Sequence, residues 1–285
     1  VDVNETFLRE MEYKREDVLS KTSQELETFY DYKDRIRLVN YVNKHGYIYG
    51  KECRFRTKKG KILTCLTSIV KVRIGEEQYY ISSVLNITER KIAEERIEYL
   101  NRIYALLSQI NQAIVRIDSK QELFDKICNI AIEFGKFSFA WIGLLDEKNN
   151  KVLPVAFDGF ENGYLKIVKN SIGNNTKTNP FLIKFFEDGV NIVSNDISQD
   201  SFHVYDREDA IKRGYKSSGL FPIRENGKVI GLLCLSSEKL NFFSDEEIRL
   251  LDEVTMDISF ALDYYIKETQ RKETNEALNK SEKKF

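Results

Sequence analysis

At Thr88 the hydrophobic pattern of this chain changes period, and that change narrows the folds open to it. Before it, apolar residues alternate in three strand-length runs, 47–57, 61–73 and 78–86. The intervening Lys58-Lys59-Gly60 and Ile74-Gly75-Glu76 are hairpin signals, so the three runs form an antiparallel meander. A helix over 32–44 precedes them, with Ile36, Val39, Tyr41 and Val42 apolar and Gly46 as a C-cap. Short helices are expected over 4–10 and 15–19. After Thr88, whose hydroxyl serves as an N-cap, a helix is expected from about Glu89 toward Val115.

A second alternation of helix and strand follows. Helix 120–134 leads to strands 137–145 and 151–157, then a helical region over 159–170 and a helix from Asn179-Pro180 to Asp188-Gly189. A short strand over 191–194 comes next. Runs 217–224 and 228–237 flank Glu225-Asn226-Gly227, the strongest turn signal in the chain. Ser244-Asp245-Glu246-Glu247 then caps a long helix whose apolar positions Leu251, Val254, Ile258, Ala261 and Tyr265 step by three and four. Beyond Ile266 the sequence turns polar and reads as a linker. The fold class is α+β: two domains, each an antiparallel sheet flanked by helices, joined by a long linker helix.

Composition excludes several partners. With 44 Lys and Arg against 45 Asp and Glu, and no strongly basic segment, no nucleic acid is expected. The apolar runs are too short to span a bilayer. Cys53, Cys65, Cys128 and Cys234 are widely spaced without a CxxC pair, and read as small buried hydrophobes in a reducing cytoplasm.

Catalytic chemistry is equally sparse. The two histidines, His45 and His203, neighbour no plausible nucleophile, and no glycine-rich phosphate loop occurs. No catalytic residue is therefore expected. A single histidine without a nearby cysteine is too few ligands for a transition metal, so no metal site is expected either. His45 ends a helix, where a histidine favours the dipole.

Two resemblances emerge from these elements. Glu52-Cys53-Arg54-Phe55-Arg56 before Lys58-Lys59-Gly60, with the closing Asn86-Ile87-Thr88-Glu89-Arg90-Lys91, resembles the C-terminal half of PAS domains. Asn4, Phe7, Tyr13 and Leu19 fit the same family's opening pattern. Glu12 stands where that family has Gly, and Asn86 where it has Asp. The family's first strand would precede Val1, so residues 1–88 are expected to be a PAS-like domain lacking it. Cys53-Arg54-Phe55 is similar to the flavin-reactive motif of light-sensing PAS domains, but lies on a strand after the helix, and no flavin is expected.

The segment 106–263 resembles a GAF domain, through Trp141-Ile142-Gly143-Leu144-Leu145-Asp146, Val193-Ser194-Asn195-Asp196-Ile197 and Arg213-Gly214-Tyr215-Lys216-Ser217-Ser218. Phe221-Pro222-Ile223, Gly227-Lys228-Val229-Ile230-Gly231 and Phe243-Ser244-Asp245-Glu246-Glu247 complete the match in order. Residues 89–118 are expected to be a linker helix running into this domain. Residues 264–285 are expected to be a helical linker to a further PAS unit opening at Ser281. The resemblances imply tandem input modules upstream of an output domain in the same chain, as in sensor histidine kinases or cyclic-di-GMP enzymes.

Three functions follow as expectations. The first is a small-molecule sensor, its site between the sheet and the segment 196–215. Trp141, Phe157 and Phe221 would supply walls from the strands, and Phe202, His203 and Tyr205 would supply them from the covering loop. Asp196 and Ser218 would orient the ligand, although Asp196 in Asn-Asp-Ile-Ser equally fits a turn bonded to its own backbone. The same aromatics also fit a dry core. The sequence names no cofactor. The second function is a ligand-free relay, dimerising through a seam at Ile92, Tyr99 and Leu106 with Ile103 and Ile110. The third is a cysteine-based reductase on a GAF scaffold, with Cys234 as its thiol.

Overall fold

The computed structural model describes residues 2–115, 119–171, 179–202 and 206–282. They fall into two compact units, Val1–Tyr99 and Leu100–Phe285.

The first unit opens with α1 (Glu5–Glu10), started by Asn4, whose side chain accepts from the Phe7 amide at 2.9 Å. After α2 (Arg15–Val18), α3 (Tyr32–His45) ends on Gly46 at φ +85°, the left-handed cap expected there. Its buried stripe is Leu38 and Val42, one turn apart, while Ile36 and Tyr41 face outward. β1 (Tyr47–Arg56), β2 (Ile62–Ile74) and β3 (Glu77–Asn86) form a three-stranded antiparallel sheet in that order. Met11, Leu38, Phe55 and Leu63 pack with Cys53 and Cys65, which stand directly opposite on β1 and β2. Glu12 adopts φ +60°, a backbone region that favours glycine, and its carboxylate accepts from the Thr57 hydroxyl at 2.7 Å. α4 (Thr88–Val115) begins where Asn86 accepts from the Thr88 amide at 3.0 Å and its hydroxyl at 2.6 Å.

The second unit takes up the remainder of α4 and adds α5 (Lys120–Glu133), β4 (Phe139–Asp146), β5 (Lys151–Gly159), α6 (Tyr164–Ser171) and α7 (Pro180–Asp188). β6 (Ile192–Ser194), α8 (Arg207–Lys212), β7 (Ser217–Glu225), β8 (Lys228–Ser237) and α9 (Asp245–Glu282) complete it. The sheet order is β5-β4-β8-β7-β6, antiparallel throughout. Asn226 and Gly227 both take positive φ, 48° and 78°, which the tight β7–β8 turn requires. Helix α9 continues unbroken past the polar change at Ile266.

Both faces of this sheet are apolar. On one, α4, α5 and α9 cover Ala140, Ile142, Phe221, Ile223, Leu233 and Leu235. On the other lie Phe139, Trp141, Leu220, Leu232 and Cys234. A strand buried on both sides shows no hydropathic alternation, and all seven residues from Ser217 to Ile223 are buried.

The seam expected on α4 is corrected here. Leu106 and Ile110 are buried in the first of these clusters, and Ile103 is buried too. Ile92 is 60% exposed, and Tyr99 is half-buried beneath the Arg96 guanidinium at 5.1 Å. A helix stripe repeating every three to four residues serves its own sheet as readily as a second helix.

Candidate functional site

The sheet face holding Trp141 is covered by short elements rather than by long helices. Tyr164 of α6, Leu182 and Phe185 of α7, Ile197, Ala210 of α8 and Tyr215 pack over it. The Phe139, Tyr164 and Tyr215 rings contact one another, with centroids 5.5–6.0 Å apart. Within this apolar layer Tyr164 Oη donates to Asp206 Oδ2 at 2.6 Å, and both residues are buried. Burial, reinforced by the Asp206 charge, holds the Tyr164 phenol well above its ordinary range, so it stays protonated and donates.

Arg213 fastens the cover. Its guanidinium lies over the Tyr164 ring at 5.3 Å and donates to the carbonyls of Asn162 and Asp209 at 2.7 and 2.8 Å. The segment after β5 is thereby pinned to α8. Tyr215 Oη donates to the Phe160 carbonyl and ties the same segment to the chain before β7.

The expected site residues divide. Trp141 is buried on this face, and Ser218 is buried on β7, where alternation places it on the same side as Leu220. Phe202 is buried in the same cluster, its ring 5.9 Å from that of Phe181. His203 and Tyr205 lie outside the described residues. Asp196 follows its backbone alternative: Oδ1 accepts from the Ser198 amide at 3.0 Å and the Ser198 hydroxyl at 2.6 Å.

Two placements are corrected. Phe221 is fully buried but belongs to the opposite face, with α9 and α5, because it is offset by one residue from Leu220. Phe157 pairs across the ladder with Trp141, yet sits on edge strand β5 and is 54% exposed. Sequence reasoning passed over Tyr164, Asp206 and Arg213 as site residues. Their pairing spans forty residues or more, and no local pattern announces it.

The thiols are quiet. Burial pushes Cys65 up to about 11 and Cys234 up to about 12, and raises Cys53 and Cys128 as well. Reactive cysteines need the opposite shift. Among the described residues no group of three or more His, Cys, Asp or Glu could hold a metal ion. His45 stacks against Tyr41, ring centroids 4.4 Å apart. Separately, a depression of about 440 Å³ lies between the end of α7 and α9, lined by Val190, Arg224, Asp252 and Met256 among others.

A second residue set ties the helical layer together. Glu247, at the start of α9, is fully buried and receives Arg102 of α4 through two nitrogens, at 2.5 and 3.1 Å. Arg102 also donates to the Gly135 carbonyl at 2.9 Å and lies over the Phe242 ring at 4.8 Å. Lys120, just past α4, bonds Glu225 at 3.1 Å, and the adjacent Asn226 amide donates to Asp263, far along α9, at 2.8 Å. From Leu100 onward α4 therefore runs in the same direction as α9.

A five-stranded antiparallel sheet with long helices on one face and short covering elements on the other defines an α+β domain. The family model described as GAF domain matches residues 118–263, just over half of the chain, and the chain belongs to that family.

Several solved structures are similar to part of the chain at low identity. A GAF domain from a Coxiella burnetii phosphoenolpyruvate-protein phosphotransferase is 14% identical, with a TM-score of 0.48, and the match covers 60% of this chain and 98% of that one. A domain assigned to a two-component sensor histidine kinase from Sinorhizobium meliloti 1021 is 18% identical, with a TM-score of 0.44, covering 55% and 99%. The free methionine-R-sulfoxide reductase of Neisseria meningitidis, in complex with its substrate, is 16% identical, with a TM-score of 0.43, covering 56% and 87%. No curated protein matches the chain. Among the described residues no helix is long and apolar enough to cross a membrane.

Proposed function

We propose that the chain is a regulatory input module whose GAF unit binds a small molecule on the Trp141 face of its sheet. The bound state is then passed along α4 and α9 to an output domain of the same protein. The observation that carries this reading is the cover: a buried Tyr164–Asp206 hydrogen bond set among aromatic rings, beneath short elements pinned by Arg213. Apolar walls with a few convergent polar groups are what small-molecule sites offer. Residues 1–88 belong to this proposal as a PAS-type unit. Glu12 in a glycine-favouring conformation and Asn86 as a cap at Thr88 both support that assignment.

The relay reading has its own support in the Arg102–Glu247 pair, which binds the incoming helix to the outgoing one. The reductase reading is disfavoured by four thiols that burial has raised.

Native mass spectrometry of the purified chain and a thermal-shift screen of metabolites test the proposal. A retained or stabilising compound whose effect is lost in Ser218→Ala or His203→Ala is the expected result. A chain that retains nothing and shifts with no compound would leave the relay alone.

A further inference from the structure

The four cysteines are spread through the chain, yet two of them meet. Cys128 and Cys234 pack on opposite faces of the second unit's sheet. Cys53 and Cys65 instead face each other across the β1–β2 ladder, both free and both turned into the core that holds Met11 and Leu38. Their backbones form a hydrogen-bonded pair of that ladder. The neighbouring Arg54 and Arg56 bond outward: the Tyr30 amide donates to the Arg54 carbonyl, and the Arg56 amide donates to the Thr28 carbonyl. Cys53 and Phe55 therefore bond inward to β2. The Cα atoms of such a pair stand about 5.5 Å apart, within the span that a disulfide bridges.

We propose that Cys53 and Cys65 are a redox modification site, closing a reversible cross-strand disulfide when the chain meets a hydroperoxide. The Cys53 thiolate attacks a peroxide oxygen, the O–O bond breaks, and Cys53 becomes a sulfenic acid as hydroxide leaves. The Cys65 sulfur then attacks the Cys53 sulfur. The S–S bond forms, the sulfenic oxygen departs, and the two thiol protons complete two waters. The thiols lose two electrons and the peroxide gains them. Cys53 is the thiol to be oxidised first, being 5% exposed against 1% for Cys65. Burial raises its thiol, and the Thr67 hydroxyl, which has no other partner, pulls it back. Cys65 lacks that support, and the Glu10 charge adds to its burial. Thiols so raised respond slowly. A resolving thiol already in place makes the disulfide the outcome once either is oxidised.

The bridge needs Cβ atoms about 3.8 Å apart, closer than a hydrogen-bonded pair sets them, so it is strained and readily reduced. That strain falls where α4 begins. The Thr64 amide donates to Thr88 Oγ1 at 2.9 Å, and the Ile87 amide donates to the Thr64 carbonyl at 2.9 Å. Cys65 itself pairs with Asn86, which caps Thr88. Drawing Cys65 toward β1 loosens the first turn of α4. The inference depends neither on the first unit's family nor on a ligand in the second.

The whole chain, treated with millimolar hydrogen peroxide and digested with trypsin without reductant, should yield peptide 52–54 joined to peptide 62–71. Dithiothreitol should part them. Hydrogen exchange at Ile87 and across the first turn of α4 should quicken about tenfold in the oxidised chain and return on reduction. In Cys53→Ala and in Cys65→Ala, peroxide should leave exchange at those amides unchanged. Cysteines that remain thiols, or that stop singly at sulfinic acid, would overturn the site. Joined peptides with unaltered exchange at α4 would overturn its coupling to the helix.

Discussion

Glu247 is a fully buried carboxyl at the start of α9. Desolvation pushes its carboxyl above the ordinary range, and Arg102 pulls it back. Arg102→Ala would leave a carboxylate buried without its cation, a change that costs about 3–5 kcal/mol in urea unfolding. Arg102→Lys keeps the charge but not the two-pronged geometry, and should fall between. The thiols make a second residue-scale prediction. Native chain at pH 8 should resist iodoacetamide at all four cysteines, while unfolded chain reacts at all of them. A thiol labelled at the free-cysteine rate in the native state would contradict the burial described. The sign of the pH effect is fixed by the raised values. The stability contributed by the protonated Cys65 and Cys234 is complete below about 9, and is lost as pH rises through about 11 and about 12. Alkaline unfolding should set in across that window. At this scale the sequence was informative where chemistry is local. Asp196 in Asn-Asp-Ile-Ser could be read as a turn, and it accepts from Ser198 two residues on. The Tyr164–Asp206 bond was not legible, because the chain brings the two together only through tertiary packing.

Strands and helices were legible to the extent that their patterns differ from one another. The Asn226-Gly227 hairpin announced itself, and so did the change of period at Thr88. Facing failed on β7, where Ser218, Leu220 and Phe221 are all buried and alternation carries no hydropathic mark. It failed again on α4, whose apolar stripe fits either a sheet or a partner. These corrections are testable as a pair. Phe221→Ala removes a ring from between β7 and the long helices and should cost about 3–5 kcal/mol in denaturant unfolding. Phe157→Ala, on an exposed edge position, should change stability by no more than about 0.5 kcal/mol. Comparable losses at both positions would contradict the exposure of Phe157 on the edge strand.

Across the whole molecule, the GAF unit sets a cover of short elements on one side of its sheet and two long helices of common direction on the other. The account's central claim is that the covered face binds a small molecule. Trp141 is the single tryptophan of the chain and is buried in that face, so its fluorescence reports on the site without a label. The direct measurement is Trp141 emission of the purified chain, followed through titration with a metabolite library. The account predicts a saturable change for a compound that also raises the melting temperature, with the same response in Phe157→Ala. Emission that stays constant across the library, or stabilisation without any change at Trp141, would contradict it.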